Sequence, residues 1–150
     1  MAEDRAYIEA NTRERDRMRA LIDGLDDDAL LAPVNEFWTV AGVLGHIAYW
    51  DIRVLVLAEK IDRDEPWSPG DAEPDGDWLN DSIRPLIHAI RPRDAAEFAL
   101  RIAEETDARV AALPLDRMYP DDPDSPIYAG RWEHRAEHLD EIEAALRARV

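Results

Sequence analysis

Residues 38–61, WTVAGVLGHIAYWDIRVLVLAEKI, decide the fold. Thr39 is a good N-cap, so a helix is expected from there to about Ile61. Its members Val40, Val43, Leu44, Ile47, Trp50, Val54, Leu55, Leu57 and Ala58 cover most of the circumference. A helix that apolar on so many sides belongs inside a bundle of others. His46 is then the informative exception. An unpartnered imidazole is costly to bury on such a helix, so it needs a partner.

Upstream, a helix is expected from about Glu3 to Asp23, with Ile8, Met18, Leu21, Ile22 and Leu25 forming a broken stripe. Gly24 suits its stop. An acidic turn from Asp26 to Leu31 ends at Pro33. Downstream, residues 62–77 (DRDEPWSPGDAEPDGD) hold three prolines and two glycines among acids, which reads as a long surface loop. A short helix from Trp78 to Ile90 follows, with Pro85 expected to disturb it. Pro92 fits the first turn of a third main helix, about Arg93 to Leu113, whose inward stripe is Ala96, Leu100, Ala103, Val110 and Leu113. Four prolines break residues 114–130 into a second long loop. The last helix is expected from roughly Arg131 to Arg149, burying Leu139, Ile142 and Leu146. No segment alternates as a strand would. The expected fold is all-α: one domain over residues 1–150, a four-helix bundle with two long, acidic, proline-rich connections.

Composition narrows the function. The 150 residues carry 34 acidic against 18 basic side chains, a formal charge of −16. Nucleic acid needs a basic patch to neutralise phosphate, and no Lys/Arg-rich run is present. The same charge disfavours an anionic membrane surface. No apolar stretch is expected to reach the roughly 20 residues that span a bilayer. The start, MAEDRAYIEA, is acidic and lacks the apolar run of a secretory signal, so a cytoplasmic protein is expected. With no cysteine, disulfides, iron–sulfur clusters and thiol nucleophiles are excluded.

The chemistry-bearing pattern is H-x-x-x-H at His134 and His138, in RWEHRAEHLDEI. Residues four apart on a helix rise about 6 Å and differ by roughly 40° in direction, so both imidazoles share a face. His46, from a neighbouring helix, can complete a three-nitrogen site for a divalent ion with a position left open. Glu141 continues that face three residues on. It could be a further ligand or a carboxylate that orients an imidazole. HRAEH also matches the inverted zinc-protease motif with Glu137 as base, but too little chain follows to supply the downstream carboxylate. A di-iron bundle needs Glu-x-x-His, and Arg131 and Arg135 stand at those positions. No G-x-S-x-G elbow and no glycine-rich phosphate loop occur. Tyr128, Arg131 and Trp132 lie just before the ligand helix and could shape the mouth of the site. Trp50 could join them, although Trp38 and Trp50 read first as packing or interface anchors. His88 reads as a partly exposed or hydrogen-bonded histidine.

The segment from Trp38 to Asp51, with its tryptophan ahead of a hydrophobic helix bearing a histidine, resembles the second-helix signature of the DinB/YfiT-like superfamily. The late His134 and His138 resemble the pair in that family's last helix, and the spacing and length fit across essentially the whole chain. The resemblance implies a four-helix bundle, often a homodimer, with a divalent ion (zinc, nickel or iron) on His46, His134 and His138. Relatives include thiol-dependent S-transferases and a mycothiol-dependent maleylpyruvate isomerase. The implied function is therefore metal-dependent chemistry on a small molecule, with a low-molecular-weight thiol as cosubstrate. The alternatives are a metal-dependent hydrolase, a non-catalytic bundle that binds or sequesters a small ligand, and a stress-related dimeric bundle whose metal is structural. A coordination position facing a cavity distinguishes catalysis from a structural role.

Overall fold

The computed structural model describes residues 5–67 and 75–149. Among these, six α-helices and no strand are found: α1 (Ala6–Asp23), α2 (Asp27–Leu30), α3 (Val40–Asp62), α4 (Gly76–His88), α5 (Pro92–Ala112) and α6 (Trp132–Arg147). The expected starting point Glu3 lies outside the described residues, as do residues 68–74 of the first long connection.

Local chemistry sets the boundaries. The Thr39 side chain accepts from the Gly42 N–H and starts α3, and Asp26 does the same for α2 through Ala29. Asp75 accepts from the Trp78 N–H, which starts α4 two residues before the expected Trp78. Pro85 does not end α4, which continues to His88. Pro92 occupies the first turn of α5, where its missing N–H costs nothing.

Four long helices pack around the main buried apolar cluster. Met18 and Ile22 come from α1, and Val40, Val43, Leu44, Ile47 and Ala48 from α3. Ala95, Ala96, Ala99 and Ala103 of α5 and Leu139 and Ile142 of α6 complete it. The small residues of α5 let it lie along α3, the most extensive helix pair in the fold. By length and composition α3 is apolar enough to cross a membrane, which corrects the expectation that no stretch is. In the fold, 67% of that window is buried.

The second long connection departs from a simple surface loop. A 3-10 turn at Leu115–Arg117 leads into a segment whose Met118, Ile127 and Ala129 are buried. They pack with Val54, Leu57, Ala58 and Ile61 of α3 and with Val110 and Leu113. The prolines forbid helix here, yet the apolar residues between them still close the far end of the core.

Candidate metal centre

α3 and α6 bring three imidazoles to one point. The Nε2 atom of His46 lies 3.2 Å from that of His134 and 3.0 Å from that of His138, and the latter two are 3.1 Å apart. Nitrogens about 2.1 Å from a shared ion lie about 3.0 Å apart at right angles and about 3.4 Å apart in a tetrahedron. The triangle therefore has the size of a three-histidine site. Neutral imidazoles alone cannot satisfy it. Each Nε2 carries either a proton or a lone pair, so at least one pair of like atoms must meet. A central cation removes that conflict by drawing on three lone pairs at once. Among the described residues these three histidines are the group that could hold an ion.

The surroundings favour the ligand form of the rings. Burial lowers the pKa of His46 to about 4, with the charge of His138 adding to it. Burial, then the charges of His138, His46, Arg131 and Arg135, lower His134 to about 2. Both rings are neutral at neutral pH, the state a metal requires. His138 Nδ1 lies 2.9 Å from a Glu141 carboxylate oxygen. An ionised carboxylate can only accept, so the proton sits on Nδ1 and the Nε2 lone pair faces its two neighbours. The Nδ1 atoms of His46 and His134 are buried and have no hydrogen-bond partner among the described residues.

The triad forms one wall of a cavity of about 510 Å³, within the range of small-molecule sites. Asn35, Trp38, Trp50, Asn80 and Arg131 line the rest, with Val43 and Glu141. Trp38 and His46 meet in a T-shaped arrangement with 5.6 Å between ring centroids, and Trp50 and His46 do so at 6.4 Å. Asn35 folds the approach to α3, accepting from the N–H groups of Phe37 and Trp38, and so fixes Trp38 at the mouth. Asn80 of α4 accepts from the Trp50 indole N–H.

A family model described as the DinB superfamily matches residues 10–149. The chain belongs to the DinB superfamily. No curated protein and no solved structure matches it. The histidines that the DinB resemblance singles out are the three that meet here.

Other sequence-derived candidates divide in two. Trp50, Arg131 and Glu141 line the cavity; Tyr128, Trp132 and Glu137 are not among its lining residues. Trp132 and Glu137 are each one residue from a cavity-lining position, and one step turns a side chain about 100° around the helix. The Trp132 N–H is instead held by Asn11, on α1. Tyr128 is 52% exposed and packs on Tyr119. Trp38 packs against the core, as its reading as an anchor expects, and it also lines the cavity. His88 is exposed and lies edge-on to Trp38.

Behind the triad lies a buried charge network that motif reading missed. Arg135 is fully buried and donates to both Asp51 and Asp107. Arg131 donates from Nε to the other Asp51 oxygen at 3.1 Å, and Arg15 donates to Asp107 at 2.8 Å. The signal was present in Asp51, the one acid among the apolar residues from Val40 to Ala58. A buried carboxylate there demands cationic partners.

Proposed function

We propose that this DinB-superfamily chain is a metal-dependent enzyme acting on a small molecule by thiol-dependent S-transferase or isomerase chemistry. His46, His134 and His138 would hold one divalent ion, zinc, nickel or iron, through their Nε2 atoms. When bound, such an ion supplies a Lewis acid that lowers the pKa of a thiol and favours the thiolate. The chain has no cysteine, so the thiol comes from a low-molecular-weight cosubstrate. The observation that carries this reading is the convergence of three Nε2 atoms within 3.2 Å on the wall of a cavity. No fourth side chain joins them among the described residues, and that favours a reactive centre over a closed structural one.

The residues of the chain divide the remaining work. Glu141 holds the His138 ring in its ligand tautomer. Trp38 and Trp50 wall the site with apolar surface and restrict water. Asn80 keeps Trp50 in place through its indole. The four long helices fit the family's four-helix bundle as a single domain, and a cytoplasmic homodimer is the assembly expected for it.

Metal-loaded protein presented with electrophiles and several low-molecular-weight thiols tests the reading. Turnover is expected only when a thiol is present, and is expected to be lost in His138→Ala. Turnover of esters or amides without thiol would replace transfer by hydrolysis. Metal binding without turnover or small-ligand binding would leave a structural ion.

A further inference from the structure

Arg131, His134, His138 and Glu141 fall at positions i, i+3, i+7 and i+10, one continuous face of the α6 segment. All four line the same cavity. Arg131 is not a solvated surface arginine: its side chain is 10% exposed. Its Nε is fixed by Asp51, itself fully buried and gripped by Arg135. The two Nη groups have no hydrogen-bond partner among the described residues. The network behind it sets guanidiniums of Arg15, Arg131 and Arg135 against the carboxylates of Asp51 and Asp107, one positive charge in excess. In a chain of formal charge −16, that is an unusual place for surplus cation. Of the residues lining the cavity Glu141 alone is acidic, and it is engaged by His138.

The geometry points to Arg131 as an anion anchor: the small molecule taken by this cavity carries a carboxylate, held by the Arg131 Nη pair, beside the three-histidine centre. A guanidinium with two free N–H groups in one plane matches the two oxygens of a carboxylate. One such fork suits a single negative charge better than a phosphate dianion, which calls for more donors. Asp51 pre-sets the fork, so little side-chain freedom is lost on binding. The inference rests on the proposed metal-dependent function for its setting. Arg131 itself is held by the protein and not by an ion.

The test uses cobalt(II)-loaded protein titrated with 3-mercaptopropionate and, separately, with its neutral amide, reading the sulfur-to-cobalt charge-transfer band. Wild type is expected to bind the acid at least about 10-fold more tightly, the scale of a charge-assisted pair of hydrogen bonds. In Arg131→Gln the ratio is expected to fall to near unity, while cobalt content and affinity for the amide stay unchanged. Equal binding of acid and amide by wild type overturns the inference, and so does a preference that survives in Arg131→Gln. If that variant does not fold, Arg131→Lys keeps a cation beside Asp51 and is expected to lose most of the preference. A wild-type chain that takes up no cobalt defeats the metal reading but leaves this one open to decision. Tryptophan fluorescence of the apo protein, titrated with propionate against propionamide, then reports the same preference or its absence.

Discussion

Asp51 governs more of this interior than any of the histidines does. It is fully buried, and it receives Arg131 on one oxygen and Arg135 on the other. Removing it leaves two buried guanidiniums short of a partner, which costs about 3–5 kcal/mol. Asp51→Ala is therefore expected to lower the urea midpoint steeply, whereas His138→Ala, at a cavity wall, leaves it nearly unchanged. Equal midpoints for Asp51→Ala and wild type would show that the network does not hold the fold. The histidines make stability depend on pH. In metal-free protein, His46 and His134 resist protonation down to about 4 and about 2. The unfolded chain takes up those protons near its ordinary pKa of about 6.5. Below that pH the unfolded state binds more protons, so unfolding free energy falls as pH falls. Denaturant midpoints in chelator are expected to drop between about pH 7 and about pH 5, with a shallower slope in His134→Gln. A slope unchanged by that substitution would contradict the burial of the ring. The histidine spacing was legible because helical periodicity fixes direction. Arg135 was not, because nothing local in RWEHRAEH separates a buried arginine from a solvated one. Its partners are Asp51 and Asp107, far away in sequence.

At the scale of elements, the approach of α4 to α3 completes the cavity by delivering Asn80 to Trp50. Two glycines of α3 permit it. A Cβ at Gly45 would meet the Ile87 Cγ2 atom at 2.5 Å, and one at Gly42 would press on the His88 ring. His88 is exposed and can swing away, but the branched Ile87 is buried and has little freedom. Gly45→Ala is thus expected to cost about 1–3 kcal/mol by over-packing, and Gly42→Ala less. Thermal midpoints in the reverse order would refute this account of the α3–α4 contact. The end of α1 and both ends of the other main helices were readable within a residue or two, helped by Thr39, Pro92 and Gly24, where caps and breakers act locally. The helix around Pro85 was legible too, as α4 runs through it to His88. The 114–130 segment was legible only in part. Its prolines signal loop correctly, but burial of Met118 and Ile127 depends on what α3 presents to them.

For the whole molecule, chain topology joins what sequence separates. α3 contributes one histidine of the triad, α6 two, and residues of α1 and α5 pack with both helices in the core. The chain carries a formal charge of −16, yet its buried network sets three guanidiniums against two carboxylates. An ion bound only by the folded state adds stability through mass action. Saturating zinc or nickel should then raise the thermal midpoint of wild type. The most direct test of the central claim is metal content after equilibrium dialysis at neutral pH, for wild type and for a variant with His46, His134 and His138 all replaced by alanine. About one tightly held divalent ion per wild-type chain, and none in the folded variant, is the expected result. A wild-type chain that retains no ion, or a variant that retains as much, would contradict it.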